Sequence, residues 1–404
     1  MKQGWEIKKF EDCLEKVTYT NKIQRKDFKE CGNYPIVSQE QDFINGYWDN
    51  EDDLFKVEKP VVIFGDHTQV KKYVDFDFVL GADGVKIFQT KNHIAPKYFY
   101  YFLQNVELEN LGYARHYRLL KDIFVSFPKS LPEQHRIVSI LDQCFSAIDI
   151  AKANAEQNLK NAKEVFESYL QGVFASAGSV KGLISKDEND SNDGQFGQNE
   201  SPEPLKSLKT NKNEMVIKSG WEMKKLGEVC ELSAGGDVPK DDFSEIKTIK
   251  QQIPIYANGE KNNELYGFTS IAKITKPSIT VSARGTIGFS VIRNESFYPI
   301  VRLIVVSPKN LQILDLRYLF YSLKAIDFKH TGTSIPQLTV PMIKDYTIPL
   351  PPLPDQQLIV RQLDALRAET QKLEAVYQKK IADLEELKKS ILGKAFSGEL
   401  NYNE

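Results

Sequence analysis

Polar side chains that suit contacts with base edges recur in three stretches of the sequence, each in two versions. Arg and Lys present donors that match guanine, whereas Asn and Gln present the donor and acceptor that match adenine. Hydroxyl and cationic side chains also bind phosphate oxygens. These residue types predict nucleic-acid contacts at Ser38, Gln39, His67, Arg115, Tyr117, Arg118, Asn258, Lys261, Arg284, Thr286, Thr333 and Gln337.

Each of these stretches also has an ordinary structural interpretation. Polar turns explain the residues after Pro35 and Pro254 equally well, and a solvated loop is the alternative at 113–118 and 330–337. Arg284 precedes Gly285, which allows a close backbone approach and favours a contact with nucleic acid there. The aromatic runs at 98–102 and 318–321 have helical placement, which favours core packing over stacking on bases.

The sequence lacks the short motifs that carry common enzyme chemistry. It contains no GxGxxG, no P-loop, no HExxH and no Asn-Pro-Pro-Tyr-like methyltransferase motif. The four cysteines lie far apart and form no CxxC pair, which argues against a zinc site and a disulfide framework. We therefore expect no catalytic residue, cofactor site or metal site in this chain.

The net charge of the chain counts against nucleic-acid binding. The 404 residues carry a formal charge of −2, whereas phosphate binding usually needs a basic surface. Residues 217–352 have 17 Lys and Arg against 13 Asp and Glu, a charge of +4, but residues 1–130 have 19 against 20, a charge of −1. If the first half binds nucleic acid, its positive charge must be concentrated locally or supplied by a partner.

The chain is a tandem repeat with a period near 220 residues. The stretch 4–10, GWEIKKF, returns as GWEMKKL at 220–226, and LPEQ at 131–134 returns as LPDQ at 353–356. The offset rises from 216 to 222 along the chain without any change in the order of the matches. Such a drift indicates a duplicated module with small insertions. In both copies, buried strands are predicted at 61–64 and 278–281.

A long helix is predicted at the end of each repeat. Apolar residues from Leu358 to Ile391, including Leu387, alternate in steps of three and four with one skip, which is typical of a coiled-coil seam with a stutter. Leu141 to Val173 shows the same pattern. Neither helix can bury so long a seam alone, so we expect the two to pair antiparallel.

These patterns predict an α+β fold in which two similar mixed α/β regions are separated by two long antiparallel helices that form a coiled coil. Polar residues dominate the stretch between the repeats, which indicates a flexible linker. The predicted boundaries are 1–130 for the first globular region, 131–177 for the first helical region, 178–216 for the linker, 217–352 for the second globular region and 353–400 for the second helical region.

The proline-rich stretch 348–357, the helix that follows it and the ending ILGKAFSGEL at 391–400 resemble the second conserved helical region of Type I restriction-modification specificity subunits. Gly4-Trp5 and Gly220-Trp221 resemble the openings of the two target-recognition domains of that family. The resemblance covers the chain apart from the linker. It implies that each domain reads one part of a bipartite, asymmetric target in double-stranded DNA.

The resemblance also implies partners. The helices would dock two modification (methyltransferase) subunits, which use S-adenosylmethionine, and restriction subunits join such complexes. A coiled-coil scaffold that joins proteins without touching DNA remains the alternative, and the near-neutral charge favours it slightly. The N-terminus lacks the pattern of a signal peptide and no apolar run approaches a membrane span, so we expect a cytoplasmic location.

Overall fold

A computed structural model describes residues 3–82, 84–112, 114–175, 221–259, 264–329 and 336–400. The predicted linker 178–216 lies outside the described residues. The chain divides into two compact units, Met1–Asn158 with Val376–Glu404, and Leu159–Ala375. Each long helix therefore begins in one unit and ends in the other.

The first unit is built from short strands with two helices between them and the long helix after them. Its strands are β1 Trp5–Lys9, β2 Lys22–Ile23, β3 Tyr34–Val37, β4 Gly46–Trp48, β5 Leu54–Phe55, β6 Val61–Gly65, β7 Lys71–Val74, β8 Phe78–Gly81, β9 Val85–Phe88 and β10 Phe124–Pro128; its helices are α1 Pro96–Asn105, α2 Tyr117–Leu120 and the first part of α3 Leu131–Ala175. β1 pairs antiparallel with β10, and β6 lies between β7 and β9. A separate sheet has the order β2-β8-β3-β4, with β5 paired to β8.

The second unit repeats most of this arrangement. Its strands are β11 Glu222–Lys225, β12 Cys230–Ala234, β13 Ile253–Tyr256, β14 Leu265–Thr269, β15 Ser278–Ser282, β16 Ser290–Arg293, β17 Tyr298–Pro299, β18 Leu303–Pro308 and β19 Thr347–Leu350; its helices are α4 Leu226–Val229, α5 Leu316–Ala325, α6 Val340–Asp345 and the first part of α7 Leu353–Ser397. β11 pairs antiparallel with β19, and β15 lies between β16 and β18, as β6 does between β7 and β9. The duplicated sequence thus folds twice around the same antiparallel three-strand unit.

The strands predicted at 61–64 and 278–281 are central and fully buried, as β6 and β15. β-branched and aromatic side chains fill both faces of such strands because neither face meets water. The aromatic runs lie on α1 and α5, where Tyr98, Phe99 and Tyr318 have no exposed surface. Core packing is therefore confirmed for these aromatic residues.

A buried glutamine fixes the start of α3 on the first globular region. Gln134 has no exposed surface, and its amide oxygen accepts the backbone N–H of Ala95 at 2.8 Å. Its amide nitrogen donates to the carbonyl of His93 at 2.9 Å and to that of Pro128 at 2.8 Å. One side chain therefore joins the helix to the loop before α1 and to the end of β10.

The second unit contains the same arrangement at Gln356. Its amide oxygen accepts the backbone N–H of Asp315 at 2.9 Å, and its amide nitrogen donates to the carbonyls of Ile313 and Pro351, both at 2.8 Å. The repeated LPxQ stretch therefore has a physical reason. A buried amide at this position satisfies three backbone groups that would otherwise be unpaired.

The two long helices pair antiparallel within the first unit. Lys152 Nζ lies 2.7 Å from Glu385 Oε1, and Lys388 Nζ lies 3.1 Å from Asp149 Oδ1, so the numbering rises on α3 as it falls on α7. Leu141 and Phe145 of α3 share a core with Leu392 and Ala395 of α7. The predicted antiparallel pairing is confirmed for this part of the helices.

In the second unit, the end of α3 and the start of α7 share a different core. Phe166, Leu170 and Val173 of α3 belong to one buried cluster with Ile359 and Leu363 of α7. The same cluster includes the aromatic residues of α5. Both units therefore draw on both long helices.

The predicted seam is wrong at Leu387. This side chain is 46% exposed, and the half-buried position beside it is Lys388, whose ammonium lies 4.9 Å from the centroid of the Phe145 ring. The long aliphatic stem of a lysine covers apolar surface while its charged end remains solvated. The prediction from periodicity was wrong here because it assigned apolar residues to the buried positions and every lysine to the surface.

Within the described part of the chain, no helix is both long enough and apolar enough to cross a membrane.

We predict that Gln134→Ala lowers the free energy of unfolding by about 3 kcal/mol, because two carbonyls and one N–H lose their partner in a buried site. Urea unfolding of the full chain measures the change. Gln143→Ala, on an exposed position of the same helix, is the matched control and should change stability by less than about 0.5 kcal/mol. Equal effects from the two substitutions would contradict this role of Gln134.

Candidate nucleic-acid interface

Three loops of the first unit meet at the end of the central strand β6. Asp66 follows that strand, and its backbone carbonyl accepts the N–H of His116 at 2.8 Å while its carboxylate accepts the N–H of Tyr117 at 2.7 Å. The N–H of His67 donates to the side-chain oxygen of Gln39 at 3.2 Å. The structure therefore brings the predicted residues Gln39, His67 and Tyr117 into one cluster of loops.

Close packing defines where two of these side chains lie. Gly84 has φ +72°, and a Cβ there would lie 2.7 Å from Gln39 Oε1 and 2.8 Å from His67 Cδ2. A glycine is therefore favoured at position 84 for two reasons: it adopts the left-handed conformation easily, and it leaves space for these two side chains. A larger residue would displace both of them.

The second unit assembles the corresponding three loops at the end of β15. Leu338 donates its N–H to the carbonyl of Ala283 at 2.8 Å, the same contact that His116 makes with Asp66 in the first unit. Asn258 Oδ1 accepts the N–H groups of Ala283 at 2.8 Å and Arg284 at 3.1 Å, and Arg284 forms a β-bridge with Gln337. Asn258, Arg284 and Gln337 therefore lie together.

The predicted residues differ in how much of each side chain faces solvent. Arg115, Arg118, Thr286 and Gln337 are exposed, whereas His67, Gln39, Tyr117, Asn258 and Arg284 are half-buried. Ser38 is only 2% exposed, and its hydroxyl donates to Asn45 Oδ1 at 2.8 Å and accepts the N–H of Glu40 at 3.1 Å. Lys261 and Thr333 lie outside the described residues. A contact with DNA remains a prediction for all of these residues.

A cationic and aromatic segment lies at 115–121 of the first unit. The Tyr117 ring stacks on Phe88 at a centroid distance of 5.8 Å, and the ammonium groups of Lys86 and Lys121 each lie 5.2 Å from its centroid. Burial raises the pKa of Tyr117, so its hydroxyl stays protonated at neutral pH. Arg115 and Arg118 flank the ring in the chain. Lys121 also pairs with Glu11 at 2.8 Å, and Lys86 lies 4.0 Å from Asp66, so neighbouring carboxylates balance part of this positive charge.

Lys72 is a residue of this site that the sequence gave no reason to select. It is 3% exposed, although a lysine in a short strand such as β7 is expected to face solvent. Its ammonium donates to the carbonyls of Asp42 and Phe43 and, at 3.1 Å, to Asn45 Oδ1. Lys72 therefore holds the loop 38–45 from beneath, and burial lowers its pKa to about 8.

No metal site was found in the described ranges. They contain no group of three or more His, Cys, Asp or Glu side chains arranged to hold a metal ion. The chemistry that the two loop clusters offer is hydrogen bonding and positive charge.

Two mixed α/β modules, each with three polar loops at the end of a central strand, define a duplicated recognition protein. The family model described as Type I restriction modification DNA specificity domain matches residues 2–161 and 218–383. The chain belongs to this family. The match confirms the two DNA specificity domains that the resemblance implied, and it gives no support to the scaffold alternative.

Relatives of known class agree with this assignment. A putative type I specificity subunit of Mycoplasma pneumoniae is 41% identical over 143 residues, which cover 35% of this chain and 42% of the relative. The specificity subunit of the Type I restriction enzyme EcoR124I/EcoR124II of Escherichia coli is 32% identical over 151 residues, 34% of this chain and 37% of the relative. The aligned stretches thus span less than half the length of these relatives.

Two solved structures have a similar fold and align with nearly the full length of this chain. A chain from a study of complex assembly and conformational transition of the type I R-M system superposes with a TM-score of 0.71 at 15% identity, covering 99% of both chains. The HsdS subunit from Thermoanaerobacter tengcongensis gives a TM-score of 0.53 at 16% identity, covering 99% of this chain and 98% of that subunit. At these identities the likeness establishes the fold alone.

We predict that the stability contributed by Lys72 rises with pH between about 8 and 10.5. The pKa of Lys72 is lowered from 10.5 to about 8 in the folded chain, so in this window the unfolded chain binds more protons and folding becomes more favourable as pH increases. The contribution is lost as pH falls through 8. The difference in unfolding free energy between the unmodified chain and Lys72→Met should grow by roughly 3 kcal/mol across the window.

Urea unfolding of both chains at several pH values measures this difference. Lys26→Met, at an exposed position in the same unit, is the control and should show a constant difference. A constant difference for Lys72→Met as well would contradict a depressed pKa at that site.

Proposed function

We propose that the chain is the sequence-reading subunit of a Type I restriction-modification system and that it reads a bipartite DNA target. The observation that carries this proposal is the duplicated loop frame. The hydrogen bond from His116 to Asp66 recurs from Leu338 to Ala283, both at 2.8 Å. The same backbone frame thus presents two sets of loops, and the family to which the chain belongs is defined by DNA specificity.

The two frames carry different side chains, so the proposed half-sites differ and the target is asymmetric. The turn after β6 carries His67, whereas the turn after β15 carries Arg284 and Thr286. Arginine pairs bidentately with guanine O6 and N7 in the major groove, and it is the commonest base-specific contact. Gly285, with φ +74°, leaves open space beside Arg284 and permits a close approach to the duplex.

Phosphate contacts in the first unit are assigned to Arg115 and Arg118. Both are exposed and both flank Tyr117, around which Lys86 and Lys121 also gather. Phosphate contacts fix register and contribute most of the salt-dependent affinity, while base contacts supply specificity. We therefore expect loss of a base-reading arginine, such as Arg284, to change specificity, and loss of a phosphate-binding arginine, such as Arg118, to change affinity and its salt dependence.

The chain itself is proposed to do no chemistry and to bind no cofactor. Two modification subunits, which bind S-adenosylmethionine, would methylate adenine within the target sequence that this chain recognises. Restriction subunits would join the same complex in a system that cleaves DNA. A cytoplasmic location is part of this proposal, because the DNA target of such a system is present there.

Methylome sequencing tests the function directly. A host that expresses this chain with its methyltransferase subunit is compared with a host that expresses the methyltransferase subunit alone. We expect one interrupted, asymmetric methyladenine motif only when this chain is present. Absence of new methylation, with the methyltransferase subunit folded and bound to the chain, would refute the proposal and favour a protein scaffold.

We predict that Arg284→Ala relaxes the base preference at one position of one half-site and costs about 1–3 kcal/mol of specific binding. Arg118→Ala should weaken binding to all sequences and reduce the slope of log K against log salt by about 1. Titration of duplexes with single-base changes at several salt concentrations measures both effects.

Arg361→Ala, on an exposed position of α7, controls for the loss of an arginine elsewhere in the chain. It should leave base preference unchanged. A uniform loss of affinity in Arg284→Ala, with base preference intact, would remove Arg284 from the base-reading residues.

A further inference from the structure

A buried ion pair lies beside the recognition loops of the second unit. Glu264 and Arg293 are 3% and 4% exposed, and Arg293 Nη2 lies 2.8 Å from Glu264 Oε2. Thr280 donates its hydroxyl to Oε2 and Ser282 donates its hydroxyl to Oε1, both at 2.9 Å. The carboxylate of Glu264 is thereby bound to the last residues of the central strand β15.

Fold stability alone does not explain such a pair. Removing two charges from water costs more than their attraction returns in many proteins, and apolar residues of similar volume often stabilise a core better. Glu264 also adopts φ +68°, a left-handed conformation that is unfavourable for a residue with a Cβ. The structure therefore maintains both a desolvated charge and a strained backbone at this position.

The strained residue is held by a backbone hydrogen bond. The carbonyl of Glu264 accepts the N–H of Ala257 at 2.8 Å, which joins the backbone at 257 to the backbone at 264. The carboxylate of Glu264 then links this part of the backbone to β15 through its hydrogen bonds with Thr280 and Ser282. Arg284 leaves the same strand two residues after Ser282.

Asn258 makes the second fastening. Its amide oxygen accepts the N–H groups of Ala283 and Arg284, and its amide nitrogen donates to the carbonyl of Arg284 at 2.6 Å. Both ends of this amide are therefore occupied by backbone groups. A bidentate contact with adenine needs the amide oxygen and the amide nitrogen together. Because both atoms of Asn258 already bind backbone groups, its hydrogen bonds suit it to hold Arg284 in place.

We propose that Glu264 and Asn258 are positioning residues that set the direction of Arg284 and thereby specify one half-site of the DNA target. This inference rests on the proposed function and adds to it the residues that determine specificity without reading a base. Small displacements at a recognition site are costly because direct readout depends on the geometry of paired hydrogen bonds.

The fastening by a carboxylate belongs to the second unit. In the first repeat the residues that correspond to Thr280 and Ser282 on the central strand are Ile63 and Gly65, which have no hydroxyl. There the loop 38–45 is held by the ammonium of Lys72. Loss of Glu264 or Asn258 should therefore affect the half-site read by the second unit and spare the other.

The test compares Glu264→Gln and Asn258→Ala with the unmodified full chain, each in complex with the methyltransferase subunit. Glu295→Gln is the matched control: this exposed carboxylate lies two residues from Arg293 and accepts the hydroxyl of Tyr256 at 2.7 Å, a hydrogen bond that a glutamine amide oxygen can also accept. Binding is measured on duplexes in which each half-site is varied base by base, at several salt concentrations.

We expect Glu264→Gln and Asn258→Ala to reduce discrimination in one half-site by about tenfold, the effect of a misplaced bidentate contact. Discrimination in the other half-site, and the slope of log K against log salt, should stay as in the unmodified chain because no phosphate contact is lost. Glu295→Gln should match the unmodified chain throughout.

Full discrimination in both folded variants would overturn the inference. If Glu264→Gln does not fold, Asn258→Ala decides alone, because this half-exposed amide can be removed without leaving a buried charge unpaired. An equal loss in both half-sites, or a changed salt slope, would also contradict a positioning role. Failure of the unmodified complex to discriminate among sequences would instead refute the proposed function and the inference with it.

Discussion

The start of each long helix is tied to its globular region by one buried glutamine, and the other contacts of the domain depend on that connection. Gln134 and Gln356 have no exposed surface, and each satisfies three backbone groups, two carbonyls and one N–H. An unpaired buried backbone group is costly, so the helix cannot rotate or slide at this point without losing several hydrogen bonds together. The aromatic cores of α1 and α5 then pack against helices whose placement is already determined.

Aspartate and tyrosine residues reinforce the same connection in both units. The hydroxyl of Tyr101 donates to Asp142 on α3 at 2.5 Å, and that of Tyr321 donates to Asp364 on α7 at 2.6 Å. A cation adds a second contact to each aspartate: Lys97 donates to Asp142, and Arg317 donates to Asp364. Duplication has thus preserved the polar contacts that orient the helices, while the loops at the ends of β6 and β15 have changed their side chains.

That contrast explains how one frame serves two different recognition surfaces. The backbone contact between Asp66 and His116 uses main-chain atoms, as does the contact between Ala283 and Leu338. Main-chain hydrogen bonds place few demands on side-chain identity, so this contact is compatible with the different side chains that the two units carry at these positions. The buried charges beneath them differ, with Lys72 in the first unit and the pair of Glu264 and Arg293 in the second.

Sequence alone determined the duplication, the family, the α+β class and the two long helices, because each depends on order and periodicity along the chain. It also located the loops that meet at the ends of β6 and β15. Only the tertiary structure showed that Ser38 is buried, that the amide of Asn258 is occupied by backbone groups, and that Leu387 faces solvent beside a half-buried Lys388. Tertiary structure also identified Lys72 and Glu264, since desolvation and hydrogen-bond partners depend on residues that are distant in the sequence. The sequence gives the chemical type of each side chain, but the residues packed around that side chain in the folded protein determine which of its atoms remain available to bind a ligand.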